Sequence, residues 1–210
     1  EVTGVQTCAL PISHAGGGEI VVLELSSDTA TEMVCDVSEG CRHAGTSSMA
    51  AFGEPFSPGN NLKLSSLSAV DGVQRAYLTP LSTLAVELAK RQDVALTAEG
   101  FDRATTTVES WFGIPEGTMA KRPLSLTHPA SLDASQPELV LAMVNAACLS
   151  LAADSRWSNV GDVINAALES IQSSGELPAS GGENGMGLSR ELLLLAASAQ
   201  ASALADQKGV

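Results

Sequence analysis

Cys35, Cys41 and His43 stand close together in the chain, and residues of these types can bind zinc, form a disulfide, or stay as free thiols. A structural zinc site takes about four ligands, usually as two close-spaced pairs. Here a second pair is missing and five residues separate the cysteines. The spacing favours a Cys35–Cys41 disulfide, with zinc and free thiols as the alternatives. Closing so short a loop stabilises a fold by about 2 kcal/mol on the chain-entropy account. Cys8 lies in the N-terminal segment. Cys148 sits alone on an apolar stretch, where a free cysteine usually serves as a small buried hydrophobe.

Other constellations are weaker. Ser47, His43 or His128, and Asp36 supply the types for a nucleophile–base–acid set. No Gly-x-Ser-x-Gly turn accompanies them, and a triad is defined by geometry rather than spacing. His14 adjoins the N-terminal segment, and His128 precedes Pro129 in a linker, where a solvated loop residue is expected. Asp28, Asp36, Glu39 and Asp71 fall near expected strand ends but lack a regular calcium-ligand spacing. The glycines at 181–187 are followed by no Gly-Lys-Ser/Thr and preceded by no strand, so they predict a turn between helices rather than a phosphate loop. Thr79, Ser82 and Thr83 form a polar cluster for which helix capping at Thr79 is a sufficient reason. The residues thus predict no catalytic, cofactor-binding or metal-ligating side chain. The one assigned site is the Cys35–Cys41 bond.

Elements must hold these residues in place. Residues 19–25 are rich in Ile, Val and Leu and predict a strand. Residues 29–37 alternate weakly and run into a Glu39-Gly40 turn, and 53–61 read as a loop. Leu62 and Leu64 alternate until Ser65-Ser66 breaks the phase, which predicts a bulge or strand end. Asp71-Gly72 reads as a hairpin turn before a short strand at 73–78. At Thr79 the pattern changes. Pro80 suits a first helical turn, and Leu81, Leu84, Ala85 and Leu88 recur at helical spacing. Further helices are predicted from Thr97 to about 112, from Gln136 to about 153, from about 159 to 173, and after Ser189. Leu188 and Leu193 are placed for a hydrophobic staple on the last one. The helix from Gln136 is apolar on most of its circumference and is expected to be central. The fold class is α+β: a partial antiparallel β module followed by an α-helical bundle of about five helices. The expected division is a β module over 14–78 and a helical domain over 79–210 that folds by itself.

Composition narrows the function. The net charge is −13 and only 11 residues are Lys or Arg, so no basic face for nucleic acid or an anionic membrane is expected. The 44% hydrophobic content suits a globular chain, and with aromatics at 3% the core must be aliphatic. Spanning a bilayer takes about 20 mostly apolar residues. The stretches at 139–153 and 192–205 are broken by Asn145, Ser150, Ser198, Gln200 and Ser202, so both predict core helices. A groove between helices near Trp111 and Trp157 is a candidate place for a small ligand.

Two resemblances add to this. Val2 to Ile12, Val-Thr-Gly-Val-Gln-Thr-Cys-Ala-Leu-Pro-Ile, resembles the translation of a common short-read sequencing adapter, which implies that residues 1–13 are not native and make no native contacts. Ala76 to Ala85, Ala-Tyr-Leu-Thr-Pro-Leu-Ser-Thr-Leu-Ala, resembles the "TPLTTLA" segment of large secreted or lipid-anchored bacterial envelope proteins, with Ser82 in place of the usual Thr. In that family a β-sandwich module of the immunoglobulin-like or carboxypeptidase-regulatory-like kind precedes an Ala/Leu-rich helical region. The stretch from Cys35 to Cys41, and Thr97-Ala98-Glu99 leading to Trp111-Phe112-Gly113-Ile114, are similar to segments of the same proteins. The resemblance covers about residues 19–131. It implies an extracytoplasmic location, a lipid anchor or secretion signal upstream, and an unknown protein or envelope partner. It carries no catalytic residues. The expected function is a non-enzymatic structural or interaction module, with a small-ligand-binding module and a fragment of a secreted hydrolase as alternatives.

Overall fold

The computed structural model describes residues 6–12, 20–69, 76–92, 96–128, 134–181 and 187–208. The expected turn at Asp71-Gly72, the first half of the strand expected at 73–78, His14 and the centre of the 181–187 glycine run lie outside the described residues, and 76–78 are not a strand.

The class is α+β, with short antiparallel strand pairs followed by five helices. β1 (Gln6–Ile12), β2 (Ile20–Ser26) and β7 (Lys63–Ala69) form one antiparallel sheet in the order β1-β2-β7. Between β2 and β7 the chain makes two small ribbons. In one, β3 (Met33–Val34) pairs with β6 (Pro55–Phe56). In the other, β4 (Cys41–Arg42) pairs with β5 (Met49–Ala50). The expected tail of a sandwich is therefore a three-stranded sheet with two ribbons attached.

β1 differs from expectation. Residues 6–12 of the adapter-like segment pair with β2, from Gln6 opposite Ser26 to Ile12 opposite Ile20. The reason is the open edge of β2: unpaired amides and carbonyls there accept any extended chain, whatever its side chains. Pro11 is tolerated because β1 is itself an edge strand, where a missing N–H leaves no gap in a ladder.

β7 runs straight through the expected break. Ser65 and Ser66 are both buried because the strand is covered on both sides, so period-two alternation is not required of it. Its outer edge is closed by the first turn of α1 (Pro80–Gln92). The Ser65 amide donates to Thr83 Oγ1 at 2.9 Å, and the Ser82 hydroxyl donates to the Ser65 carbonyl at 2.8 Å. Thr79 and Ser82 also bond reciprocally, each amide donating to the other's hydroxyl. The Thr-Pro-Leu-Ser-Thr run thus starts a helix and seals a sheet edge at once.

α1 is the central helix, where α3 was expected to be. It packs against β7, α2 (Ala98–Trp111), α4 (Val160–Ser174) and α3 (Gln136–Leu151). Leu81, Leu84, Ala85, Val86, Leu88 and Ala89 are all sealed from solvent. The leucine stripe faces the helices, while the small Ser82, Thr83 and Val86 let the opposite face approach the sheet. α3 is instead flanked by α5 (Arg190–Lys208) and α4. Its capping box of Ser135 and Glu138, the Thr97 cap on α2 and the Asn159 cap on α4 are formed.

The largest buried cluster includes residues from both strands and helices. Cys35, Val37, Phe56, Leu62 and Leu64 belong to the same buried cluster as Leu81, Leu88, Val144, Ile164 and Leu193. Position 79 marks a change of secondary structure, and this cluster has members on both sides of it.

Candidate functional site

Cys35 and Cys41 are bonded, with Cα atoms 5.6 Å apart, and both are almost fully buried. The bond occupies both sulfurs, so neither is a zinc ligand. The loop between them turns at Gly40, where φ is +99° and a Cβ would lie 2.7 Å from the Ala50 carbonyl oxygen. Only glycine suits that position. The loop is also held from afar: the Ser38 amide and hydroxyl donate to Gln200 Oε1 at 2.9 and 2.8 Å, and Gln200 Nε2 donates to Ser150 Oγ at 3.2 Å. Gln200 is buried and joins α5, α3 and the disulfide loop. The sequence shows it only as an interruption in an apolar stretch.

Among the described residues, no hydrogen bond joins Ser47 to His43 as a hydrolytic set would need. Ser47 is exposed at the tip of a turn closed by the His43 amide on the Ser48 carbonyl. His43 Nδ1 accepts from the Ser57 amide, so that nitrogen carries no proton to donate to an acid partner. Cys148 is buried among apolar side chains, which pushes its thiol up to about 12 and leaves it unreactive at neutral pH.

The acidic residues are scattered. Asp28 accepts from the Thr31 hydroxyl and the Ala30 amide, which together lower its carboxyl. Glu39 is exposed in the disulfide loop. Asp71 is outside the described residues. No group of three His, Cys, Asp or Glu side chains among the described residues is arranged to hold a metal. Glu109, which the sequence reading did not single out, is buried and accepts from the Gly117 and Met119 amides at 2.9 and 2.7 Å. It pins the loop after α2. A carboxylate inside an amphipathic helix gives no sign in sequence of which amides it will meet.

The two tryptophans do not share a groove. Trp157 is buried before α4, beneath the Arg156 guanidinium, whose centre lies 4.6 Å from the ring. Arg42 donates to the Trp157 and Ala152 carbonyls, satisfying acceptors at the end of α3. Trp111 lines a shallow surface groove with the exposed Leu194 and Leu195 of α5.

A different place combines an apolar wall with a perturbed polar group. A cleft of about 300 Å³ lies between β3, the 123–125 segment and α3. Leu64, Ala142 and Leu149 are among its apolar lining residues, and Asp36 is its one acidic lining residue. Burial pushes that carboxyl above its ordinary 3.8, against bonds from the Thr127 amide, the Ser125 hydroxyl and the Leu126 amide. Such a place is a candidate ligand site. The chain matches no protein family, no curated protein and no solved structure.

Proposed function

We propose that the chain is a non-enzymatic structural or interaction module of an extracytoplasmic bacterial envelope protein. The observation that carries this reading is the Cys35–Cys41 bond, placed in the core that joins strands to helices. Such bonds persist in oxidising compartments and are rare in the reducing cytosol of mesophiles. Two features agree with it. The polar groups that sequence would offer to chemistry are engaged in holding the fold, as with Ser82, Thr83, His43 and Asp28. No helix among the described residues is long and apolar enough to cross a membrane.

The test is to produce the chain in a bacterial host with and without an export signal, then alkylate free thiols and weigh the intact protein. Exported protein should carry the bond and resist protease. Cytosolic protein should be reduced at Cys35 and Cys41 and be cleaved faster. Equal protease resistance in the two forms would remove the link between this bond and an oxidising compartment.

A further inference from the structure

The cleft between β3, residues 123–125 and α3 has a polarity that packing alone does not require. Its other wall groups are engaged in the fold. Asn145 donates to the Leu141 carbonyl and accepts from the Leu81 amide, and Thr79 Oγ1 accepts from the Ser82 amide. Asp36 is different. A carboxylate offers about four acceptor sites, and the donors it meets on the 125–127 segment are all neutral. No lysine or arginine among the described residues forms an ion pair with it. A half-buried anion held by neutral donors is relieved further by a cation within about 4–6 Å. The net charge of −13 makes the surrounding field attractive to the same sign of ligand. Next to that anion stands an aliphatic wall, and the volume, about 300 Å³, is at the small end of ligand sites.

We propose that this cleft binds a small cationic amphiphile, an amine on an apolar body, with its ammonium against Asp36 and its hydrocarbon along Leu64, Ala142 and Leu149. The site goes beyond the module reading and does not depend on where in the cell the chain resides.

The experiment uses the whole chain and three probes of one shape: 4-phenylbutylamine, 4-phenylbutanol and 4-phenylbutyrate, titrated by calorimetry. The amine should bind about tenfold more tightly than the alcohol, and the carboxylate most weakly. Asp36→Asn should abolish the amine's advantage and leave the alcohol's affinity within about twofold. Val34→Phe, which intrudes on the cleft from β3, should weaken amine and alcohol alike. Circular dichroism and a melting curve establish that each variant is folded. Should Asp36→Asn not fold, the ranking of the three probes on the unaltered chain and the weakened binding of both amine and alcohol in Val34→Phe decide the matter. Equal binding of amine and carboxylate, an amine advantage that survives Asp36→Asn, or no binding of any probe at millimolar concentration would overturn the proposal.

Discussion

Thr83 shows how a side chain chosen for a helix can serve a sheet. Its hydroxyl accepts from the Ser65 amide on the buried edge of β7, at 2.9 Å. Thr83→Val keeps the shape and strands that donor, so it should destabilise the fold by about 1–3 kcal/mol in urea denaturation, while Thr83→Ser should change little. Gly161 carries a prediction of unusual sign. Alanine normally stabilises a helix relative to glycine by about 1 kcal/mol. At 161 a Cβ would lie 2.4 Å from Asn61 Oδ1 and 2.8 Å from the Asn61 carbonyl oxygen. Gly161→Ala should therefore destabilise by about 1–3 kcal/mol, and a raised denaturation midpoint would contradict that packing. Asp36 bears on pH. Its folded carboxyl is raised above 3.8 by burial, so in the window above 3.8 the folded chain holds that proton more firmly than the unfolded one. Once ionised the group opposes folding, and the opposition fades as pH falls through the folded value. Asp28 and Asp154, whose carboxyls are lowered, act in the reverse sense: they support folding above the unfolded value and lose that support as pH falls. Asp36→Asn should gain stability relative to the parent as pH rises from about 4 to 7, read from melting temperatures. At this scale the cysteine pair was legible because short-range spacing restricts what two thiols can do. Gln200 and Glu109 were not, because their partners at Ser38 and Gly117 are brought to them only by folding.

Among the elements, helices were the most legible. Each has a local signal of its own: Thr97, Ser135 and Asn159 as caps, Gly175 in the left-handed conformation after α4. Strands were less so, since their pattern depends on what covers them. Ser65-Ser66 looked like a break because one-sided burial was assumed, yet α1 closes that edge with hydroxyls. The rank of α1 and α3 was inverted for a related reason. An all-apolar circumference marks a helix that is buried, but a helix with small and hydroxyl residues on its second face can be buried more deeply still. The disulfide loop is held twice, by its own bond and by Gln200. Replacing both Cys35 and Cys41 with Ala should lower stability by about 2 kcal/mol. An unchanged denaturation midpoint would mean that the Ser38–Gln200 contacts hold the loop without the bond.

For the molecule as a whole, the buried cluster shared by strands and helices argues for folding as one unit. Phe56, Leu62 and Leu64 fill space against α1 and its neighbours, and losing them would open a cavity that a helix bundle could close only by rearrangement. A chain cut to residues 76–210 should keep a helical circular-dichroism spectrum but melt gradually, without a cooperative step. A sharp transition would restore the division at 79. The sheet has one further consequence, for anyone who joins this chain to something else. The seven pairings of β1 with β2 are main chain to main chain, a form of recognition indifferent to side chains. The seat beside Ile20–Ser26 is therefore open to tags and linkers as much as to any strand of natural origin. A threonine- or valine-rich linker there will lie down as part of the sheet, and a proline-rich one will leave the edge bare for another molecule to occupy.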